Sequence, residues 1–381
     1  MKIKGILPDA TGAFRVRKVY KDAISNASSD PSFPDPVGKL AKSLHPGYLT
    51  LRLEKRTEAA EGAYYLTFSS LDKKIPLFKP GQFMTLTKRI DESILTRAYT
   101  ICSDYRKRDT ISILIKKMGG PMTELLSSCP IGETFVSEIG LGPFYYEPLR
   151  DSKNLVVIVG GSGVTPAIAM AYGANRYSLT VIYAVNSEEE ILLKDRLEEF
   201  TKTGVRVVYV IRDGAKTKGY ESGFVNASLI AKYAGEDPTF FLCGPKPMLD
   251  AVKEELKTLG VPNRRVRSEP ASVHVEPSSL PKPGKEVFEL TIRIGTESMK
   301  IPARYDETLL TAFERAGILV HNSCRSGACG YCRVKVNSGK YYYAPTLDGR
   351  RHADKELGYV HSCSAYPCED MDLLLDIPAT L

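Results

Sequence analysis

The chain has 381 residues, 43% hydrophobic and 25% charged, with a formal net charge of +7. That length implies two or three domains of about 100–150 residues each, and the balance reads as soluble and globular. No stretch approaches the ~18 consecutive apolar residues of a membrane span, and the mild positive charge, without a basic–aromatic stripe, argues against nucleic-acid binding.

The N-terminus lacks the apolar core of a signal peptide, so a cytoplasmic location is expected. In that reducing setting the eight cysteines read as ligands and packed thiols rather than disulfides. Residues 1–45 carry eight Lys/Arg against four Asp, and Pro31, Pro34 and Pro36 interrupt them before a predicted short helix over 37–44. This extension has two readings. It is either a structural addition packed on the next domain, or an arm that docks an acidic redox partner through Arg15, Arg17, Lys18 and Lys21.

Residues 46–150 predict an all-β unit. Short β-rich runs at 48–53, 64–68, 83–87, 98–101 and 111–115 alternate with Gly, Pro and Asp/Lys turns, the pattern of an antiparallel barrel. Two segments in it carry chemistry. In Arg97-Ala-Tyr99-Thr100, the arginine can pair with phosphate, the tyrosine can lie against an aromatic ring system, and the threonine can hydrogen-bond a ring edge. In Gly119-Gly120-Pro-Met122-Thr123, the glycines let backbone approach a phosphate. Taken alone, a strand tyrosine beside a surface arginine is ordinary.

Residues 151–269 switch to alternating strands and helices. Apolar strands are predicted at 155–159, 181–184, 205–211 and 239–242, with helices at 166–172, 192–202 and 247–259. This is the pattern of a doubly wound parallel sheet. Its first strand runs into Gly160-Gly161-Ser-Gly163-Val-Thr165-Pro166, a tight turn opening a helix whose N-terminus offers N–H groups to a pyrophosphate. Cys243-Gly244-Pro245 follows the last strand, at the carboxyl edge where ligands of α/β sheets bind.

Residues 270–285, with Pro277, Pro281, Pro283 and Gly284, read as a tether. Beyond it, residues 286–381 predict a small α+β, ferredoxin-like (β-grasp) domain, with a strand over Val287–Ile294 and a helix over 308–316. Then comes Cys324-Arg-Ser-Gly-Ala-Cys329-Gly-Tyr-Cys332, the C-x4-C-x2-C spacing of a plant-type [2Fe–2S] site, with Cys363 as the distant fourth ligand. Soft thiolates suit iron–sulfur chemistry, and the small residues between them let backbone N–H groups aim at sulfur. A structural zinc site is the competitor, but it usually pairs two C-x2-C knuckles, and only Cys329 and Cys332 form one.

In this order, Arg97-x-Tyr-Thr, Gly119-Gly-x-x-Thr123, Gly161-x-Gly-x-Thr-Pro166 and Cys243-Gly-Pro resemble the ferredoxin–NADP reductase family. With the C-terminal cysteine motif and Gly358-Tyr-Val-His-Ser-Cys363, the chain is similar to oxygenase-reductase components, the phenylacetyl-CoA epoxidase reductase type among them. The resemblance runs from about residue 46 to residue 381.

The resemblance implies an FAD-binding barrel, an NAD(P)-binding α/β domain and a ferredoxin domain. Arg97, Tyr99 and Thr100 would meet the flavin, and Gly119, Gly120, Met122 and Thr123 its phosphates. Gly161, Gly163, Thr165 and Pro166 would form the nucleotide site with Cys243, Gly244 and Pro245, and Cys243 would lie near the nicotinamide. Tyr99, Thr100 and Cys243 would stand closest to the chemistry. Thr100 replaces the usual serine, Pro270 stands where an aromatic often follows the Glu269 position, and residues 1–45 have no counterpart. The implied function is electron transfer from NAD(P)H through FAD and the cluster to a terminal redox protein such as an oxygenase component. Glu188, Glu189 and Glu190 after the second strand favour NADH, whereas Arg212, Lys216, Lys218 and Tyr220 after the third resemble a 2′-phosphate pocket; the balance leans to NADH. The alternatives are a reductase for an anaerobic acceptor such as a hybrid-cluster protein, and a non-catalytic NAD(P)H redox-sensing module.

Overall fold

The computed structural model describes residues 6–27, 47–72, 74–270, 275, 277–281, 284–343 and 348–375. The short helix predicted over 37–44 lies outside them, as does part of the predicted tether. The chain begins instead with a helix that the sequence pattern does not announce, α1 (Ile6–Ser25). Its Phe14, Val19, Tyr20 and Ile24 are exposed.

Alternating burial then builds a barrel. Strands β1 (Tyr48–Ala60), β2 (Ala63–Ser70), β3 (Phe83–Ile90), β4 (Ser93–Thr100), β5 (Thr110–Lys116) and β6 (Thr134–Leu141) pair antiparallel in the order β4-β3-β6-β1-β2-β5. Their inward residues, among them Leu51, Leu53, Phe68, Met84, Leu86, Ile113 and Phe135, form one core. β6 is not among the predicted strands, although every second residue from Phe135 to Ile139 is buried. The sheet's two ends meet through a bridge between Ile101 and Ile113, so most of β4 keeps an open outer edge. Helix α2 (Pro121–Ser128) buries Met122 and Leu126 in the barrel.

The second unit is a parallel sheet of β7 (Asn154–Gly160), β8 (Ser178–Val185), β9 (Arg206–Ile211), β10 (Glu221–Ser222), β11 (Thr239–Gly244) and β12 (Val266–Pro270). Helices α3 (Thr165–Ala171), α4 (Lys194–Thr201), α5 (Ala227–Ala234) and α6 (Lys246–Thr258) connect them. The order β10-β9-β8-β7-β11-β12 reverses between β7 and β11, which makes that pair the topological switch point. Barrel and sheet share a core in which Phe144 meets Phe241 edge to face, ring centroids 5.1 Å apart. Arg196 on α4 also donates to the Tyr65 hydroxyl at 2.8 Å.

The third unit comprises β13 (Val287–Ile294), β14 (Glu297–Arg304), α7 (Leu309–Arg315), β15 (Arg333–Ser338), β16 (Tyr341–Tyr343), α8 (His352–Glu356), β17 (Tyr359–His361), β18 (Ala365–Pro367) and β19 (Met371–Leu375). Its mixed sheet has the order β14-β13-β19-β15-β17, and α7 buries Leu309, Leu310, Ala312 and Phe313 against it. The architecture is therefore the expected one: antiparallel barrel, doubly wound α/β sheet, and ferredoxin-like domain. Among the described residues no helix is long and apolar enough to cross a membrane.

Candidate functional site

At the switch point two backbone turns interlock. β7 leaves the sheet through a 3-10 turn at Gly161–Val164 and enters α3, where Pro166 occupies the first turn. A Cβ at Gly163 would lie 2.6 Å from the Cys243 carbonyl oxygen and 2.8 Å from its carbon, so only glycine permits this approach. Register explains the contact, because Cys243 on β11 sits beside Val159 on β7. Gly244 in turn lies against Gly160, and Pro245 caps α6. Thr165 is buried, and its hydroxyl donates to the Ser162 carbonyl at 3.3 Å.

A residue outside the motifs holds this turn. The buried Tyr183 hydroxyl donates to the Gly161 carbonyl at 3.0 Å and accepts from the Leu192 N–H at 3.1 Å. Tyr183→Phe orphans both groups, at a cost of about 1–3 kcal/mol, and is expected to raise the nucleotide KM by up to about tenfold in steady-state assays. An unchanged KM would show that the turn needs no such clamp.

Cys243 is buried, and desolvation together with the nearby Glu269 pushes its thiol well above the ordinary range. It therefore stays protonated at neutral pH and serves this edge as a small packed group. Glu269 is the neighbour of Cys243 in the β11–β12 register. Burial, with a contribution from the charge of Cys324, raises its carboxyl to about 7.

In the barrel, β3 and β4 pair Leu86 with Arg97, Met84 with Tyr99 and Phe83 with Thr100. Burial raises the Tyr99 phenol, while Arg97 and Arg325 pull it back. Gly119, at φ +77°, faces open space. Gly120 caps α2, and the Thr123 hydroxyl donates to the Gly120 carbonyl at 2.8 Å. Met122 differs from its motif neighbours, since its side chain belongs to the barrel core.

The cysteine loop shows the features that its small residues suggest. The N–H groups of Ser326 and Cys329 donate to the Cys324 sulfur at 3.4 Å, and that of Gly327 to the Cys363 sulfur at 3.3 Å. Cys332 is buried, and Cys324, Cys329 and Cys363 are partly buried around the same loop. Among the described residues no three His, Cys, Asp or Glu side chains are grouped so as to hold a single ion. Backbone N–H groups aimed at two of the four sulfurs fit a [2Fe–2S] cluster, which Cys324, Cys329, Cys332 and Cys363 would hold, better than a structural zinc. His361 is buried, and its Nδ1 lies 2.6 Å from the Gly327 carbonyl. Ser362 donates to the Cys332 carbonyl through both its N–H, at 3.0 Å, and its hydroxyl, at 2.8 Å. These neighbours tie the distant Cys363 to the loop.

The three sites converge. Arg97 of β4 and Arg325 of the cysteine loop both bind Glu314 of α7, while Glu269 at the sheet edge feels Cys324. His361 stands inside the motif at 358–363, where the sequence assigns it no role, and Arg325 lies within the cysteine loop. Nothing local marks Glu314 or Tyr183.

A barrel, a nucleotide-type sheet and a four-cysteine domain meeting in one place fit an electron-transfer reductase built for flavin, nicotinamide nucleotide and iron–sulfur cluster. Sequence comparison agrees in the same order: the chain matches the oxidoreductase FAD-binding domain over residues 50–146, the oxidoreductase NAD-binding domain over 157–254 and the 2Fe-2S iron-sulfur cluster binding domain over 292–368. The chain thus carries, in this order, the FAD-binding, NAD-binding and 2Fe-2S domains of a ferredoxin-reductase-type protein with a C-terminal [2Fe–2S] domain. Over 347 residues it is 26% identical to the ferredoxin reductase component of 3-ketosteroid-9-alpha-monooxygenase from Mycobacterium tuberculosis (strain CDC 1551 / Oshkosh), covering 84% of this chain and 94% of that one. Over 337 residues it is 24% identical to a component of the 1,2-phenylacetyl-CoA epoxidase of Escherichia coli (strain K12), covering 79% and 89%. Its fold is similar to that of phthalate dioxygenase reductase, with a TM-score of 0.65, 20% identity, and coverage of 87% and 98%. The chain is thus an NAD(P)H-dependent oxidoreductase that uses FAD and a [2Fe–2S] cluster.

Proposed function

We propose that this protein is the reductase of a multicomponent oxygenase system, drawing on NADH and delivering single electrons to the oxygenase. The observation that carries the relay is the convergence of the β4 motif, the β7–β11 edge and the cysteine loop around Arg97, Glu269 and Glu314. The oxygenase as acceptor is supported by the relatives, whose names are those of monooxygenase and epoxidase components. When bound, the flavin accepts a hydride and the cluster passes on one electron at a time.

The residues have distinct tasks in this reading. Gly161, Gly163 and Thr165 form the nucleotide's phosphate cradle with Pro166, and the Cys243-Gly244-Pro245 turn walls the nicotinamide end. Arg97 pairs with flavin phosphate, Tyr99 covers the ring, Thr100 offers a hydroxyl to its edge, and the Gly119–Gly120 turn with Thr123 lines the phosphates. Cys324, Cys329, Cys332 and Cys363 hold the cluster. Four cysteines used as cluster ligands and four left as packed thiols support a cytoplasmic location.

NADH is favoured by the loops beyond β8 and β9. Glu188 accepts from the Lys216 and Thr217 N–H groups at 2.6 and 2.8 Å, and Glu189 lies 3.7 Å from the Lys216 ammonium. Arg212 is paired with Asp213 at 2.8 Å. Arg212 and Lys216 thus each have an acidic neighbour, and Glu188 and Glu189 would face a 2′-phosphate. Glu189→Ala, which spares the Glu188 loop contacts, is expected to lower the NADPH KM about fivefold with little effect on NADH. No change for either nucleotide would remove Glu189 from selectivity.

Anaerobic titration with NADH and then NADPH, followed by visible absorption and EPR, tests the whole reading. Flavin bleaching with a reduced-cluster signal supports it, and the faster nucleotide identifies the donor. No reduction by either nucleotide sinks it, and flavin reduction without a cluster signal sinks the relay.

A further inference from the structure

We propose that Glu314 is a positioning residue that docks the cysteine loop onto the flavin-site strand through one carboxylate shared by two domains. Its side chain is 5% exposed and accepts five hydrogen bonds. From the cysteine loop, Arg325 donates through Nη1 at 2.7 Å and Nη2 at 3.1 Å. From β4, Arg97 donates through Nη1 to both oxygens, at 3.1 and 3.0 Å, and the Thr96 N–H donates at 3.0 Å.

Each contact has a reason. β4 is an edge strand, so its outward N–H groups need partners that the sheet does not supply. Glu314 supplies one at Thr96, directly before Arg97. Arg325 follows Cys324, holds a left-handed backbone conformation at φ +52°, and keeps only 17% of its side chain exposed. A buried arginine there requires a partner, and Glu314 fills that role while also touching the barrel. Arg97 commits only Nη1 to this arrangement. Among the described residues its Nε and Nη2 find no acceptor, so the same guanidinium retains a face for an anionic ligand. The surrounding interface is close on its own account: the Ser93 hydroxyl donates to the Arg315 carbonyl at 3.2 Å, and a Cβ at Gly317 would strike the Glu92 carbonyl oxygen.

This inference rests on the relay reading, since docking matters only if electrons cross from the barrel to the loop. The test is anaerobic single-turnover reduction of the holoprotein by NADH, with flavin and cluster followed separately, for wild type, Glu314→Gln and Gly317→Ala. The first variant keeps size and removes charge, leaving Arg97 and Arg325 to repel each other. The second keeps the charge and wedges the same interface. Both are expected to slow cluster reduction at least about tenfold while flavin reduction stays within about twofold. Amide exchange at Thr96 is expected to quicken in both, a readout that needs no turnover.

Cluster reduction within about twofold of wild type in both variants, or unchanged exchange at Thr96, would overturn the clamp. Loss of the cluster spectrum in Glu314→Gln would overturn it too, assigning Glu314 to cluster retention instead. Wild-type protein reduced by neither nucleotide would sink the relay reading itself, whereas a competent wild type matched by both variants would sink the clamp alone.

Discussion

Cys332→Ser is expected to abolish the cluster and, with it, electron delivery to one-electron protein acceptors such as cytochrome c, by about 100-fold or more. Cys332, the last cysteine of the loop, is 2% exposed. Its neighbour Ser362 binds the Cys332 carbonyl through both N–H and hydroxyl, which holds Cys332 beside the distant Cys363. A serine hydroxyl at this position stays protonated and is a hard ligand where iron and sulfide favour a soft one. Ferricyanide reduction, which takes electrons from the flavin, is expected to persist. The readouts are the visible spectrum, the EPR signal of the reduced protein, and the ratio of cytochrome c to ferricyanide turnover. A full cluster signal in the variant would remove Cys332 from the ligand set and reopen the assignment of the four sulfurs.

Gly163→Ala is expected to cut nucleotide-driven flavin reduction by about 100-fold, because a displacement of about 1 Å at a positioning element is enough for a loss of that size. The added methyl would meet the Cys243 carbonyl, and neither side can yield cheaply. Gly163 is in the turn leaving β7, while Cys243 is the residue of β11 beside Val159 in the centre of the sheet. Relief therefore requires the Gly-rich turn to lift away from the edge where nucleotide and nicotinamide would lie. Dithionite needs no nucleotide site, so it is expected to reduce flavin and cluster in the variant as in wild type. Nucleotide-driven reduction within about twofold of wild type would mean that this backbone contact is not part of the site.

Much of the chemistry is legible along the chain because it is local. The C-x4-C-x2-C spacing brings three thiols together within one loop, and the glycines after β7 mark a turn that side chains would block. Alternating and continuous apolar runs distinguish the half-exposed barrel strands from the fully covered parallel ones, since burial on one face or two writes a different period. β6 escapes because polar Thr134, Ser137 and Glu138 and the turn residue Gly140 dilute its alternation, while pairing with β1 and β3 stabilises it. α1 escapes for a related reason: Pro8, Gly12 and a dense set of charges lower the helical signal of 20 residues that nonetheless form one helix.

Ligand spacing and turn glycines act over a few residues, so the cluster and a pyrophosphate turn can be read without a fold, while FAD rests on the resemblance of the ordered motifs. How the three sites face one another is fixed by packing alone. Arg97 and Glu314 are 217 residues apart, Tyr183 and Gly161 are 22 apart, and His361 and Gly327 are 34 apart. Each pair is ordinary in isolation, an arginine, a glutamate or a tyrosine with no spacing to announce it. Burial then forces the choice: a carboxylate, a carbonyl or a hydroxyl removed from water must find partners, and the packed domains supply them from distant parts of the chain.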